Sequence, residues 1–157
     1  MYITKAMSSM IDIRLSNVDE LTNNCVDLFK RQYDELSTLK GLSDINPHIE
    51  GYRELEDSDQ LLILAAWDDD KIVGYSAGFL GVHHHSLLKV YTNDLIFLDK
   101  EYRKGFTGVK LINKTRLFAE LKGAKIVTWI AKTGSALKAL LPRLGYNENE
   151  TVYSSEV

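Results

Sequence analysis

The chain has 157 residues, of which 45% are hydrophobic and 26% charged, with a net charge of −3 and a pI near 5.8. This length suits one α/β domain covering residues 1–157, and the composition excludes a disordered chain. The acidic balance argues against a generally basic nucleic-acid-binding protein, although a local basic patch is present.

The single cysteine and the absence of long apolar runs bear on the cellular location of the protein. Cys25 cannot form an internal disulfide and has no CxxC partner, so its helical context favours a buried core thiol over a nucleophile. No apolar run approaches the roughly 18 residues that span a bilayer, and the N-terminus lacks the pattern of a secretory signal. We therefore expect a cytoplasmic protein that does not bind a membrane.

The first half of the chain predicts a strand, two helices and a hairpin. Their ranges, in chain order, are 10–15, 17–36, 49–55, 61–67 and 72–82. Asn17 and Glu20 have the spacing of a capping box at the start of the long helix. Gly74, Gly78 and Gly81 would weaken an isolated strand, so we expect bulges or a close backbone approach at these glycines.

The second half predicts a strand, a polar loop and then alternating helices and strands. The ranges are 88–98 for the strand, 99–108 for the loop, and 109–122, 124–131, 135–144 and 151–157 for the elements that follow. The late strand–helix–strand unit needs a parallel partner, whereas the earlier strands look antiparallel. The sequence therefore predicts an α/β or α+β fold with a mixed sheet between helices.

The loop at 99–108 is the segment of the sequence that is most informative about function. It joins a strand to a helix start, where unpaired N–H groups and the helix dipole favour an anion such as a pyrophosphate. Five basic residues surround it: Lys100, Arg103, Lys104, Lys110 and Lys114. A loop with a solvated basic face is the plainer alternative. A nucleic-acid contact is the weakest one, because no aromatic stacking cluster accompanies the charges.

The segment from Leu98 through Arg103, Gly105 and Gly108 to Leu111 resembles the acetyl-CoA signature of the GNAT superfamily of acetyltransferases. The family loop reads R/Q-x-x-G-x-G/A, and here the first glycine stands one place early. The resemblance implies that the strand binds the pantetheine arm through its backbone and the loop holds the pyrophosphate of acetyl-CoA. The implied cofactor residues are Ile96, Phe97, Leu98, Arg103, Lys104, Gly105, Phe106, Thr107 and Gly108.

Two further segments extend the resemblance over residues 61–157. The stretch from Leu140 to Tyr146 looks like the family ending, in which a helix leads to Gly-Phe or Gly-Tyr, and the hairpin at 68–71 with Gly74 also matches. The loop resembles in particular those of small phage-encoded members of the family. The resemblance implies a GNAT-like, mixed and mostly antiparallel sheet of six to seven strands, flanked by about four helices.

Acetyl transfer to an amine requires a neutral nitrogen, so a base is useful near pH 7. The family often places an acidic residue where Asp94 stands, and the apolar Leu95 and Ile96 that follow it would partly dehydrate it. An ordinary strand-end Asp is the alternative. The family tyrosine that protonates the departing thiolate is replaced by Leu141. The hydroxyls of Ser135, Tyr146 and Tyr153 are substitutes for which the sequence shows no preference.

Histidines and acidic residues supply two weaker signals. His83, His84 and His85 alternate sides and lack further ligands, so we expect no metal site and favour exposed loop histidines over a substrate-side role. The stretch 44–59 is acidic and, in the family, covers the acceptor site. It would attract a polyamine, an aminoglycoside or a lysine side chain, but we favour a solvated helix face.

The sequence therefore predicts an N-acetyltransferase that moves acetyl from acetyl-CoA to a primary amine by direct attack in a ternary complex. The alternative is an acyl-CoA-binding module that has lost turnover and acts through protein interaction. The acceptor class, a small molecule or a protein lysine, stays open, and so does a homodimer. Fold resemblance does not identify an acceptor.

Overall fold

The computed structural model describes residues 10–38 and 41–157, which form a five-stranded sheet. The strands are β1 (Asp12–Leu15), β2 (Leu61–Asp68), β3 (Lys71–Val82), β4 (Lys89–Leu98) and β5 (Ile126–Thr128). They are neighbours in that order. The pairings from β1 to β4 are antiparallel, and β4 pairs with β5 in parallel. The expected mixed, mostly antiparallel sheet is confirmed.

The same residues contain five α-helices: α1 (Val18–Asn24), α2 (Val26–Leu36), α3 (Ile49–Asp57), α4 (Thr107–Leu121) and α5 (Ala136–Leu140). We expected one helix over 17–36. It breaks at Cys25, whose φ of −119° and ψ of 13° are not helical, so the helix count is five rather than about four. Asn17 caps α1 as predicted, since its side chain accepts the Glu20 N–H at 2.8 Å.

Two apolar layers cover the faces of the sheet. On one face, side chains such as Ile63 and Tyr75 pack against α1, α2 and α3. On the other face, Leu64 and its neighbours pack against Leu111 of α4. Because β2 lies between the two layers, its residues are buried on both faces of the sheet, which explains its continuous apolar run. Cys25 lies in the first layer, and burial raises the pKa of its thiol to about 12.

β4 carries a bulge opposite Gly78. The register pairs Ala77 with Leu95 and then Gly78 with Asn93, so Asp94 is an extra residue on β4. A Cβ at Gly78 would lie 2.5 Å from the carbonyl oxygen of the facing strand, a distance that no side chain tolerates. The expected close approach is therefore confirmed at Gly78, and the bulge takes Asp94 out of the ladder.

Residues 10–38 and 41–157 contain five strands, fewer than the six to seven we expected. Residues 151–157, predicted to form the last strand, do not adopt strand structure, and Val152 and Tyr153 are 80% and 90% exposed. Alternating residues form a strand only when a neighbouring strand satisfies their backbone N–H and C=O groups. The α/β class itself is confirmed.

Of the helices in residues 10–38 and 41–157, none combines the length and the apolar character that a bilayer-spanning segment requires. The expectation about a secretory signal depends largely on residues 1–9, which lie outside the described residues. The cytoplasmic location therefore stays a prediction.

Candidate active site

β4 and β5 pair over only three residues and then diverge. Residues Val90, Tyr91 and Thr92 of β4 face 126–128 of β5. The next residue, Asn93, is 4% exposed, and its side-chain amide lies between β4 and the segment that follows β5. Its Oδ1 accepts the N–H of Ile130, and its Nδ2 donates to the carbonyl oxygen of Ile130 at 3.4 Å. A side chain thus takes the place of ladder bonds and holds the strands apart.

The divergence exposes the backbone edge of β4. The Asp99 N–H bonds the Val73 carbonyl oxygen at 2.8 Å, and the alternation of an antiparallel ladder then points the main-chain groups of Ile96 and Leu98 the opposite way. The Leu98 carbonyl oxygen accepts Nε of Arg103 at 2.7 Å. The N–H groups of Ile96 and Leu98 therefore face the gap between the strands, where an extended ligand can pair with them.

A short 3₁₀ turn, Lys100–Tyr102, leads from β4 to the start of α4. Phe106 stands at the helix N-cap and makes no side-chain capping bond, and the Lys110 N–H is the first to bond within the helix, to the Phe106 oxygen at 2.8 Å. Within the described part of the chain, the N–H groups of Thr107, Gly108 and Val109 have no protein acceptor. Open amides at a helix start favour an anion.

Gly105 shapes the turn before these amides. Its φ is +88°, which glycine adopts without strain, and a Cβ there would have no atom within 4 Å. At Gly108 a Cβ would meet only the Leu98 side chain, at 3.8 Å. The space above the turn is therefore free for a ligand.

The gap and the turn open into one cleft of about 530 Å³. The residues from the expected cofactor set that line it are Ile96, Phe97, Leu98, Arg103, Gly105 and Gly108. Asp94 lines it as well. Lys104, Phe106 and Thr107 do not, and the side chains of Lys104 and Phe106 are exposed. The structure thus brings most of the predicted residues to one cleft.

The side chain of Arg103 is engaged within the protein. Its Nη1 and Nη2 donate to the two carboxylate oxygens of Glu35 at 2.8 and 2.9 Å, and its guanidinium lies 5.1 Å from the ring centroid of Phe97. The hydrogen bond from Arg103 lowers the pKa of Glu35. Together with a 2.5 Å bridge between Arg31 and Asp99, this pair fastens α2 to the turn.

The basic residues of the loop are more scattered than their sequence suggests. Nζ of Lys114 donates to the Ile13 carbonyl oxygen at 2.6 Å, on β1, and Lys100 lies 3.8 Å from Glu35. Two basic residues that sequence reasoning missed, Lys132 and Arg143, line the cleft from the segment after β5. No local pattern marks them, because only the fold brings that segment opposite the turn.

Asp94 lies exposed at the bulge, and Leu95 and Ile96 do not dehydrate it as we expected. Tyr52 of α3 donates its hydroxyl hydrogen to Asp94, and its ring stacks on Phe79 with centroids 6.3 Å apart. Burial, then the bond to Asp94, raises the pKa of Tyr52, so the phenol stays a donor. The sequence signal for Tyr52 was only its place on the apolar face of α3, with Ile49 and Leu55.

The three hydroxyls considered as proton donors to the thiolate lie in different environments. Ser135 lines the cleft, and its Oγ accepts the Lys138 N–H at 3.2 Å, which leaves its own hydrogen free to donate. Tyr153 is 90% exposed, and the hydroxyl of Tyr146 is buried with no partner among the described residues. Leu141 is buried. Ser135 is therefore the candidate that reaches the cleft.

A second cavity of about 450 Å³ lies on the other side of the bulge, between α1, α2, α3 and the sheet. Gln32 and Leu36 of α2 line both cavities. Along β4, Leu95 lines the second cavity, whereas its neighbours Asp94 and Ile96 line the cleft. The two cavities therefore adjoin at the bulge.

The acidic stretch 44–59 contributes little to this second cavity. Its carboxylates mostly face solvent or pair with other protein groups: Glu50 with Arg53, Glu56 with the Val18 N–H at 2.9 Å, and Asp59 with Lys122 at 2.5 Å. Glu54 and Asp57 are exposed. Asp44 is the one charged residue among the described ones that line the cavity. The favoured interpretation, a solvated helix face, describes α3.

The three histidines are exposed in the β3–β4 loop. Nδ1 of His83 lies 3.0 Å from Oγ of Ser86, and the rings of His83 and His85 are 5.7 Å apart, edge to face. Residues 10–38 and 41–157 contain no group of three or more His, Cys, Asp or Glu side chains placed to bind a metal ion. Neither candidate cavity includes these histidines.

No protein-family model matches the chain, and no curated protein matches it in sequence. Solved structures match it in fold. An aminoglycoside acetyltransferase from an uncultured soil metagenomic sample is 22% identical, with a TM-score of 0.75 over 94% of this chain and 99% of that one. A second such enzyme, solved in complex with sisomicin, is 18% identical, with a TM-score of 0.73 and coverage of 94% and 96%.

A GNAT family acetyltransferase of Staphylococcus aureus is 18% identical, with a TM-score of 0.67 over 94% of this chain and 98% of that one. At these identities the likeness speaks for the fold and not for a shared substrate. It also covers nearly the whole of each chain, so it is not confined to one motif. The chain has the fold of the GNAT acetyltransferases.

Proposed function

We propose that this protein, as one domain, is an N-acetyltransferase that moves acetyl from acetyl-CoA to a primary amine of a small molecule or a protein lysine. Direct attack within a ternary complex is the proposed route. The observation that carries the proposal is the row of open N–H groups at the start of α4, directly beside the diverging edge of β4. The shared GNAT fold supports acetyl transfer in general.

The residues present fit acetyl-CoA. The amides of Thr107, Gly108 and Val109 suit a pyrophosphate, and the free space at Gly105 and Gly108 lets phosphates approach the backbone. We retain Lys104, Phe106 and Thr107 as binding residues through their main chains. Arg103, whose side chain is held by Glu35, acts in the same way and also shapes the turn.

The other end of the cleft suits the pantetheine arm. The N–H groups of Ile96 and Leu98 face the gap that Asn93 keeps open, so an extended amide chain can pair there as a further strand would. Lys132 and Arg143 add positive charge to the same cleft. Main-chain binding of this kind places little demand on side-chain identity.

When bound, acetyl-CoA supplies an activated acetyl group: the amine C–N bond forms, the thioester C–S bond breaks, and one proton passes from nitrogen to the departing sulfur. Asp94 is the proposed acceptor of that proton, because it lies where the two cavities meet. Tyr52 orients its carboxylate. Ser135, which also lines the cleft, is the proposed donor of a proton to sulfur; exchange with solvent then returns a proton to Ser135 and removes the one on Asp94.

A charge placed among the open amides tests the proposal. In Gly108→Asp the new carboxylate would occupy the anion site while suiting the first turn of its helix, so the protein should fold and lose acetyl-CoA affinity by about 100-fold. Asn113→Asp adds the same charge to an exposed position of α4 and should bind normally. Calorimetric titration measures both.

The enzyme is then incubated with acetyl-CoA and amines while free thiol is measured. Thiol release by the wild type that Gly108→Asp abolishes supports the proposal. Equal acetyl-CoA affinity in Gly108→Asp and Asn113→Asp would overturn the assigned site. Saturable binding with no acetylation of any amine or protein lysine would favour the inactive acyl-CoA-binding module instead.

A further inference from the structure

The second cavity has predominantly apolar walls, to which helices, strands and the loop before α3 all contribute. Phe29 and Leu36 come from α2, Ile45 from the loop before α3, Ile49 from α3, and Leu95 from β4. Tyr52 adds an aromatic ring beside them. A wall of this composition binds apolar surface, because transferring that surface out of water is favourable.

Charge is scarce in the same cavity. Among the described residues, Asp44 is the one charged residue on its lining, and Asp94 lies just beyond, bonded to Tyr52. The remaining carboxylates of α3 face solvent or pair with protein groups. A polycation entering the cavity would give up the hydration of several ammonium groups and find few partners, which is unfavourable.

Position and size define what the cavity can hold. Its volume of about 450 Å³ is within the range of small-molecule sites. It adjoins the cleft at the bulge, where Gln32 and Leu36 line both cavities and Leu95 follows Asp94 on the strand. A molecule seated there would have its apolar body under α2 and α3 and its reactive end at Asp94.

We infer that the acceptor is a small monoamine whose amino group is carried on an apolar body, such as an arylalkylamine or an alkylamine, and not a polycation. This rests on the proposed function, because it names the acceptor of the same site. The nitrogen lies at Asp94, and the apolar body fills the second cavity. Transfer would then yield the corresponding N-acetyl amide and free CoA.

A matched panel of amines tests the inference. Phenylethylamine and hexylamine represent apolar monoamines, spermidine and tobramycin represent polycations, and the tripeptide Leu-Gly-Gly represents an apolar peptide N-terminus. At one pH and saturating acetyl-CoA, kcat/KM should be at least about tenfold higher for phenylethylamine than for either polycation. Higher values for spermidine, tobramycin or the tripeptide would overturn it.

Two variants locate the effect. Ile45→Asp puts a carboxylate into the apolar wall at a residue 42% exposed, so folding should be unaffected, and kcat/KM for phenylethylamine should fall about tenfold. Leu42→Asp adds the same charge to the same loop at a residue that does not line the cavity, and should change kcat/KM less than twofold. Equal losses in both variants would remove the cavity from the assignment.

Binding measurements separate this inference from the proposed function. Phenylethylamine is titrated calorimetrically into the protein with CoA present, and acetyl-CoA is titrated in a separate experiment. Absence of acetyl-CoA binding means that the proposed function fails. Acetyl-CoA binding together with phenylethylamine affinity that Ile45→Asp leaves unchanged means that only the acceptor inference fails.

Discussion

The two cavities on either side of the β4 bulge are lined by different kinds of chemical groups. The cleft between β4, β5 and α4 presents main-chain N–H groups, glycines and a few cations, whereas the cavity under α2 and α3 presents apolar side chains. Main-chain sites depend on backbone shape and tolerate many side chains. Side-chain sites change with every substitution, so the same fold can keep one donor site and vary its acceptor.

Asp94 stands where the two cavities meet, and its replacement should have the largest effect. Asp94→Asn keeps the shape but removes the proposed proton acceptor, so kcat should fall about 100-fold while the Kd for acetyl-CoA stays within about twofold. Steady-state kinetics and calorimetry measure the two quantities. A parallel loss of acetyl-CoA binding would mean that Asp94 contributes to the cofactor cleft and not to a step at the boundary between the two cavities, which would contradict the comparison.

Asn93 sharpens the comparison from the cleft side, because its amide replaces the missing ladder between β4 and the chain after β5. Asn93→Ala removes both hydrogen bonds between the buried Asn93 side chain and the main chain of Ile130, which should cost about 2 kcal/mol of unfolding free energy and weaken acetyl-CoA binding about tenfold. Urea unfolding and calorimetry check both. Ser76→Ala, at another buried polar position of the sheet, is the control for a general packing defect.

Glu35 tests the ion pair with Arg103 that joins α2 to the turn before α4, here called the clamp. Its pKa is lowered by the hydrogen bond from Arg103, so the stabilisation is present above its ordinary value near 4.5 and is lost as the pH falls through the lower, folded-state value. Glu35→Gln should lose about 1 kcal/mol at pH 7 and converge with the wild type once the pH has fallen below the folded-state pKa of Glu35. Urea unfolding at several pH values measures this.

The exposed Glu54 of α3 provides the matched carboxylate control. Glu54→Gln should leave the unfolding free energy within about 0.5 kcal/mol of the wild type at every pH, as for most surface substitutions. A difference for Glu35→Gln that persists unchanged at low pH would show that packing, and not the ion pair, holds the clamp.

Tyr52 is expected to give the smallest effect, from the acceptor side. Tyr52→Phe keeps the ring against Phe79 and removes the donor to Asp94, so kcat should fall about threefold with acetyl-CoA affinity unchanged. Phe79→Leu serves as the control, since it removes the stacked ring and leaves the hydroxyl. Loss of acetyl-CoA binding in Tyr52→Phe would contradict the division between the two cavities.

Much of the cofactor side could be anticipated from the sequence because its signals are local. The glycine-bearing loop between a strand and a helix predicted open amides, and the structure leaves Thr107, Gly108 and Val109 without acceptors among the described residues. The two basic residues that line the same cleft from the segment after β5 were not anticipated. Lys132 and Arg143 meet the turn only after a parallel crossover, which no short-range pattern reveals.

The acceptor side could not be anticipated in the same way. Acidic residues at 44–59 left a cationic guest open, but we favoured a solvated helix face, and most of these residues do face solvent or pair with other protein groups. The apolar residues of α2, α3 and β4 looked like ordinary core positions, and only their packing leaves a cavity between them. The last strand at 151–157 was wrong for a related reason, because a strand needs a neighbour that periodicity does not supply.

The sequence by itself determined the α/β class, the capped helix start at Asn17 and the turn before α4, since each follows from hydrophobic periodicity or from residues close together in the chain. The tertiary structure alone decided that Arg103 pairs with Glu35, that Tyr52 holds Asp94 and that an apolar cavity adjoins the cleft. These features join residues far apart in the chain, so they arise only when the sheet and its helices pack together.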